Sequence, residues 1–263
     1  MATVTSLNYL FTAHEANISA KVDGFERALE QIAGRLRKGL IDLEMNSING
    51  DPLSWQERLL QRQIVHLQVQ IRGQLNNAGY PELVDKFMTA YDESALFGQQ
   101  VLEAIGKSDA LLQPMRPDTV KNLKQFDMTA FEEIGNNAIR ELSKQLTLNA
   151  LVGKKRSDVI ESMNNVLDAQ FTGKAELYAD TALRSFDRTV NMQLWKAAGI
   201  GKYKYFGPKD NVNRPFCASH VGKTYPLAEI QKMSNGSAQF ANVLVYGGGP
   251  RCRHTWTPQP EAN

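Results

Sequence analysis

The stretch FERALEQIAGRLRKGLIDL, residues 25–43, places an apolar residue at every third or fourth position. Side chains at those steps share one face of an α-helix, so the stretch predicts an amphipathic helix. The apolar positions are Phe25, Leu29, Ile32, Leu36, Leu40 and Leu43. The sequence NGDP follows at residues 49–52, and its proline cannot donate a helical hydrogen bond. We therefore expect the helix to stop in this segment.

A second apolar stripe with the same steps continues beyond that stop. Its members are Leu60, Ile64, Leu67, Ile71 and Leu75. Two stripes of similar length joined by a short turn predict an antiparallel helical hairpin. The outer faces carry basic residues, namely Arg35, Arg37, Lys38, Arg58, Arg62 and Arg72. Such charges are typical of a solvated helix face, and a nucleic-acid surface is the alternative.

A third helix is predicted after this hairpin. Pro81 stands where the first helical turn would begin, since proline is favoured at that position, and the helix runs to about Ile105. Residues 106–118 contain a glycine and two prolines and form the best candidate for a linker.

Helical periodicity resumes beyond the linker and continues to about residue 200. Asp127 or Thr129 is expected to cap the next helix, which Gly153 ends. Two further helices are predicted, one over residues 157–170 and one over residues 174–198.

The pattern changes at Gly201. Residues 202–206, Lys-Tyr-Lys-Tyr-Phe, alternate polar and aromatic side chains and predict a half-buried strand. Residues 226–233 are interpreted as one short helix and residues 243–246 as another strand. The remainder is rich in turn residues.

The predicted fold class is mainly α. A helical bundle or set of hairpins over about residues 15–200 precedes a small α+β, turn-rich C-terminal module. Along the chain we distinguish a helical N-terminal region (1–115), a second helical region (116–200) and the C-terminal module (201–263).

Composition limits the class of protein. The chain has 263 residues, of which 42% are hydrophobic, and this suits a folded protein with a real core. Its net charge of +2 gives little general attraction to nucleic acid. No secretion signal or membrane-spanning stretch is evident, so we expect a protein made in a cytoplasm with no membrane partner. Two cysteines in a reducing compartment favour a metal or free thiols over a disulfide.

The two cysteines are each followed closely by a histidine. The first pair is Cys217-Ala-Ser-His220, and the second, later in the chain, is Cys252-Arg-His254. Two thiolates and two imidazoles in two chelating pairs match the ligand set of a structural Zn²⁺ site, and they leave no position for a catalytic water. A disulfide, two close unbonded thiols and ordinary packing are the alternatives.

Other polar features have plainer interpretations. Residues 247–249, Gly-Gly-Gly, could cradle a phosphate, but a flexible turn is the simpler interpretation because no lysine or helix follows as in a P-loop. Asp210 and Arg214 are predicted to form an ion pair across a turn. His14 and His66 are interpreted as surface or packing residues.

The residues from about 175 onward resemble a known family. They comprise AELYA at 175–179, WKAAGI at 195–200, YKYFG at 203–207, Asp210 with RPFC at 214–217, His220, GKTY at 222–225 and GGPRCRH at 248–254. Together they resemble the C-terminal region of minor head, or head morphogenesis, proteins of tailed bacteriophages of the phage Mu F type. The resemblance covers about residues 130–258. His220 and His254 stand where that family often has cysteine, and both replacements stay within the zinc ligand set.

The resemblance implies a helical virion component near the portal vertex of the phage head. Such a protein, made in the host cytoplasm, would act in procapsid assembly or later with DNA in the head. The implied partners are the portal and major head proteins, with packaged DNA and a second copy of the chain as further candidates. No enzymatic activity is expected.

Two alternatives remain open on sequence grounds. A DNA-binding virion protein would use basic residues around the module, namely Lys202, Lys204, Arg214, Arg251 and Arg253, with Tyr203, Tyr205 and Trp256 to stack bases. A metal-dependent hydrolase would need a general base, and Glu229 is the only acidic residue between the two ligand pairs.

Overall fold

The computed structural model describes residues 4–45, 64–107 and 117–259. The mainly helical prediction is confirmed. The long helices are α1 (Val4–Met45), α2 (Ile64–Asn77), α3 (Tyr80–Ala104), α4 (Pro117–Leu151), α5 (Arg156–Leu167) and α6 (Glu176–Ala197). The expected stop at 49–52, the start of the second stripe and most of the 106–118 linker lie outside the described residues.

The C-terminal module is a small antiparallel sheet with short helices, as predicted. Its elements are β1 (Lys202–Phe206), α7 (Pro215–His220), β2 (Thr224–Pro226), α8 (Leu227–Ile230), α9 (Val243–Tyr246) and β3 (Thr255–Pro258). The strand order is β2-β1-β3, so β1 is central. Tyr203 pairs with Tyr225 of β2, and Tyr205 pairs with Trp256 of β3. The sheet therefore fastens β1 to the last described strand of the chain.

The described residues form two compact units, and each unit draws on separated segments. The first comprises those within Met1–Val22, Phe87–Asp127 and Leu177–Asn263, and the second those within Asp23–Lys86 and Met128–Glu176. The division predicted from sequence follows chain order instead, and it stays a prediction for the regions 1–115, 116–200 and 201–263.

The first unit is held by aromatic side chains from α1, α3 and α6. Phe11 packs edge-on against Phe97, with ring centroids 5.2 Å apart, and against Trp195 at 5.8 Å. Tyr91 lies against Phe186 at 4.6 Å. These contacts place α6 beside the N-terminal turns of α1, and α6 in turn leads directly to β1.

The second unit contains the stripe from which the helical prediction began. Its Phe25 packs against Phe131 with ring centroids 5.3 Å apart. Tyr80 donates a hydrogen bond to the Phe131 carbonyl and packs against Phe171 at 5.4 Å. The stripe is buried at residues 25, 29, 32, 36 and 40, as an amphipathic helix requires.

Helix α4 begins ten residues earlier than the predicted cap at Asp127. Pro117 occupies its start, where proline costs no helical hydrogen bond. Asp127 lies inside the helix, and its carboxylate accepts hydrogen bonds from Tyr91 and Tyr178. Burial raises the pKa of Asp127 despite these two donors. The predicted cap was therefore wrong, because Asp127 has a tertiary role.

Two other boundaries differ from the predictions. The helices expected over 157–170 and 174–198 are continuous, since the π-helical segment Asp168–Ala175 joins α5 to α6. The extra residue in each wide π-helical turn shifts the apolar stripe around the helix. In the sequence this shift looks like the end of one helix and the start of another. Residues 243–246 form helix α9 and not a strand, and the Asn242 side chain caps it by accepting from the Leu244 N–H.

Candidate metal centre

Three of the four predicted zinc ligands come together in the C-terminal module. Cys217 lies on α7, whereas Cys252 and His254 lie on the extended segment that enters β3. The two sulfur atoms are 3.6 Å apart, and Cys252 Sγ is 3.9 Å from His254 Nδ1. All three donor atoms lie within 4.8 Å of one another, and each residue is only 2% exposed. The cysteines are free thiols, so the predicted disulfide alternative is not formed.

These separations fit a tetrahedral zinc ion. With Zn–S bonds of about 2.3 Å and Zn–N bonds of about 2.0–2.1 Å, tetrahedral geometry places two sulfurs about 3.8 Å apart and sulfur and nitrogen about 3.5–3.6 Å apart. The distances of 3.6 Å and 3.9 Å differ from these by only a few tenths of an ångström. The cluster could therefore hold a metal ion with small adjustments of side-chain torsions.

The orientation of His254 suits metal binding through Nδ1. Its Nε2 is 2.8 Å from the Pro208 carbonyl oxygen, which can only accept, so Nε2 carries the proton and donates. In the neutral ring this leaves the Nδ1 lone pair facing Cys252. A second hydrogen bond of this kind is typical of metal-ligating histidines. Gly207 permits the arrangement, because a Cβ there would lie 2.5 Å from the His254 ring.

Two glycines of the run at 247–249, Gly247 and Gly248, pack against the sulfur atoms. The Gly248 N–H donates to Cys252 Sγ at 3.2 Å, and a Cβ at Gly248 would lie 2.3 Å from Cys217 Sγ. Only glycine lets the backbone approach the thiols this closely. Gly247 and Gly248 thus have a packing role at the candidate site, which explains these two glycines without a phosphate.

The two thiols affect each other's ionisation. The pKa of Cys252 is lowered, first by the hydrogen bond from Cys217 and further by the positive charge of Arg188. The pKa of Cys217 is raised, because its proton is held between the two sulfurs. Because thiolates and not thiols bind metals, metal binding at this cluster would release protons and depend on pH.

Arg188 of α6 supports the site from behind. Its guanidinium donates to the carbonyls of Val245, Cys252 and His254, at 3.1 Å from Nη1 for Val245 and 2.8 Å from Nε for His254. The side chain is almost completely buried. The sequence does not single out this residue, because nothing in the helical pattern distinguishes an inward arginine from an exposed one.

His220 lies outside the cluster of donor atoms. Its Nδ1 is 2.7 Å from the Phe216 carbonyl oxygen, and its ring stacks on the Phe216 ring at 4.3 Å. The predicted set of four ligands is thus assembled as a set of three. Glu229, the general base considered for a hydrolase, is exposed on α8 and is also not part of this group.

The three arginines predicted to contact nucleic acid are engaged within the protein. Arg214 donates to the Pro250 carbonyl at 2.6 Å, and Arg251 to the Asp180 carboxylate at 3.3 Å. Arg253 pairs with Asp210 at 2.7 Å. The predicted Asp210–Arg214 pair is therefore wrong, since each residue has a different partner.

The two lysines of the predicted nucleic-acid surface lie on β1. Lys202 is exposed and Lys204 is half-buried. They alternate with Tyr203 and Tyr205, which are fully buried, so the tyrosines are core residues and are not available to stack bases.

A second polar cluster, in the first unit, was also missed. The Asp187 carboxylate accepts from His14 at 2.7 Å, from Ser94 at 2.5 Å and from Asn191 at 2.8 Å. The serine contacts the carboxylate and not the histidine, so the order of contacts differs from that of a catalytic triad. The His14 ring also stacks on the Phe97 ring, with centroids 3.6 Å apart, so His14 combines a polar contact with packing in the first unit.

Comparisons of the chain with protein-family models, with curated proteins and with solved structures give no match. Among the described residues, no helix is both long enough and apolar enough to span a membrane.

Proposed function

We propose that this chain is a non-enzymatic structural protein of a tailed-phage head, with a C-terminal module held together by Zn²⁺. The observation that carries the metal part of the proposal is the buried cluster of Cys217, Cys252 and His254. It joins α7 to the last strand of the sheet, two segments more than thirty residues apart. A module of this size buries little apolar surface, and a metal cross-link would supply the missing stability.

The donor set favours zinc over other common ions. Thiolates and imidazole are soft or borderline ligands, whereas Mg²⁺ and Ca²⁺ prefer oxygen. The Gly248 N–H and the Pro208 carbonyl supply the outer hydrogen bonds that orient Cys252 and His254.

The burial of the cluster supports a structural role. A catalytic zinc ion needs a position that substrate or water can reach, and each of the three ligand residues is only 2% exposed. The arginines nearby bind backbone carbonyls and carboxylates, which leaves them less free to bind substrate.

The assignment to a phage head rests on the resemblance over residues 130–258. Its motif residues are far apart in the chain, yet the Tyr205 hydroxyl lies beside the sulfurs of Cys217 and Cys252, and the Gly248 N–H donates to Cys252. A shared packing role would account for their occurrence together. The partners proposed on this basis are the portal and major head proteins.

The metal part is tested by elemental analysis of the purified chain. We expect about one zinc per chain, lost together with protease resistance of the C-terminal module on chelation or in Cys252→Ser. His66→Gln is the matched control, because His66 is an exposed histidine on α2. Metal-free protein with an equally resistant module would contradict the proposal.

The head assignment is tested on purified phage particles. The chain should be detected by mass spectrometry in immature or mature heads, with density at the portal vertex in electron micrographs. Absence from both kinds of particle would refute it. Binding of the chain to DNA with a steep salt dependence would instead favour the DNA-binding alternative.

A further inference from the structure

The three-residue cluster leaves one corner of a tetrahedron to be filled. Zinc in structural sites takes four ligands, and the described cysteine, histidine and carboxylate residues supply three at this place. The hydroxyl of Tyr205, on the central strand β1, lies 3.5 Å from Cys217 Sγ and 3.5 Å from Cys252 Sγ.

Tyr205 is held firmly in this position. Its side chain is fully buried, and its ring packs against Trp256 at 4.5 Å, His254 at 5.2 Å and Phe216 at 5.6 Å. Its neighbour on the same face, Tyr203, donates to the Ile200 carbonyl. The Tyr205 hydroxyl, by contrast, contacts the two sulfurs among the described residues.

The equal distances match a metal ligand. With Zn–S bonds of about 2.3 Å and Zn–O bonds of about 2.0–2.2 Å, a tetrahedral ion places oxygen about 3.5–3.7 Å from each sulfur. We propose that the Tyr205 hydroxyl, and not His220, is the fourth ligand of the metal bound by Cys217, Cys252 and His254. This inference rests on the proposed zinc site and completes it.

The charges agree with this ligand set. Two thiolates balance the charge of Zn²⁺, and a neutral imidazole and a neutral phenol add none, which suits a buried site. His220 would have to give up its contact with the Phe216 carbonyl to reach the metal, whereas Tyr205 already lies beside both sulfurs. The neutral hydroxyl would coordinate through an oxygen lone pair and keep its proton.

The test uses the full chain loaded with Co²⁺, whose visible absorption reports the ligands directly. Tyr205→Phe removes only the hydroxyl and keeps the packed ring. It should shift the cobalt bands and raise the metal Kd by ~100-fold or more, above the 10–100-fold typical of outer hydrogen-bonding partners. His220→Asn, the matched control, should leave both the spectrum and the Kd unchanged.

X-ray absorption of the zinc-loaded wild-type chain provides a measurement that needs no variant. We expect two sulfurs, one imidazole and one further oxygen ligand. Two imidazoles, or an unchanged cobalt spectrum in Tyr205→Phe, would overturn the assignment of Tyr205. Failure of the wild-type chain to bind Zn²⁺ or Co²⁺ at all would refute the proposed metal site itself.

Discussion

Replacing Arg188 by methionine should weaken both the fold and metal binding. The guanidinium donates to the carbonyls of Val245, Cys252 and His254, and two of these belong to predicted metal ligands. Methionine has comparable length but no donor, so three carbonyls would lose their partner in a buried position. The metal ligands would then be less well oriented.

The magnitude follows from these three bonds. A hydrogen bond to a charged group contributes about 1.5–3 kcal/mol, so three give at least about 4.5 kcal/mol. The cost of burying the guanidinium offsets part of this, and we expect a loss of about 3 kcal/mol in the free energy of unfolding. Loss of the hydrogen bonds that orient two ligand residues should raise the Kd for Zn²⁺ by ~10–100-fold.

The assay combines urea unfolding of the zinc-loaded chain with metal competition by a chromogenic chelator. Arg184→Met is the matched control, because Arg184 is equally buried one helical turn away. It binds Glu15, Asp180 and Ser19 and none of the carbonyls of the site. It should destabilise the chain but leave the Kd for Zn²⁺ near the wild-type value.

Arg188→Lys provides a second test of the same residue if Arg188→Met fails to fold. Lysine keeps the charge but cannot donate in a planar fork to three carbonyls, so an intermediate loss of stability is expected. Wild-type metal affinity and wild-type stability in Arg188→Met would refute the role assigned to this residue.

Three further variants test the packing and the electrostatics. Gly248→Ala should abolish metal binding, because its Cβ would lie 2.3 Å from Cys217 Sγ, whereas Gly201→Ala, which meets open space, should bind zinc normally in the same titration. Gly73→Ala, in α2 with open space around it, should stabilise the chain by about 0.5–1 kcal/mol in urea unfolding, and a loss would show that the helix is not regular there. Burial raises the pKa of Asp127, so the folded chain holds this proton more tightly than the unfolded chain does. The contribution of Asp127 to stability is therefore greatest at acid pH and is lost as pH rises above 3.8 and through the raised pKa. Asp127→Asn should reduce that loss, and an unchanged pH profile of stability would contradict it.

The helical core could be predicted from the sequence because its signal is local. The stripe from Phe25 to Leu40 needs only the period of the helix to identify its buried face, and those side chains are buried. The same holds for β1, where the alternation of Tyr203 and Tyr205 with lysines gave the correct face. Such patterns can be recognised without knowing which other segment of the chain packs against them.

The N-terminal turns of α1 show where local signals fail. Leu7, Phe11 and Ile18 continue the apolar stripe, but His14 and Glu15 interrupt it and suggest solvent. Both polar residues in fact face α6, where they meet Asp187 and Arg184. A pairing between residues about 170 positions apart leaves no periodic trace, so the prediction began the helix too late.

The same distinction explains the partial success at the metal centre. Cysteine and histidine spacing identified Cys217, Cys252 and His254, because these residue types are rare and chemically specific. Tyrosine is a common core residue, so nothing in the sequence separates Tyr205 from Tyr203.

The support for the site also crosses the boundary that composition suggests at residue 201. Arg188 lies before that boundary on α6, yet the carbonyls that it binds lie near the end of the chain. A metal at the cluster would fix the ligands to one another, whereas Arg188 fixes the same backbone to the helical part of its unit. Metal loading and the packing of α6 should therefore reinforce each other, since each orders carbonyls and side chains that the other needs in place. This coupling would turn a small turn-rich module into a rigid extension of a long helix.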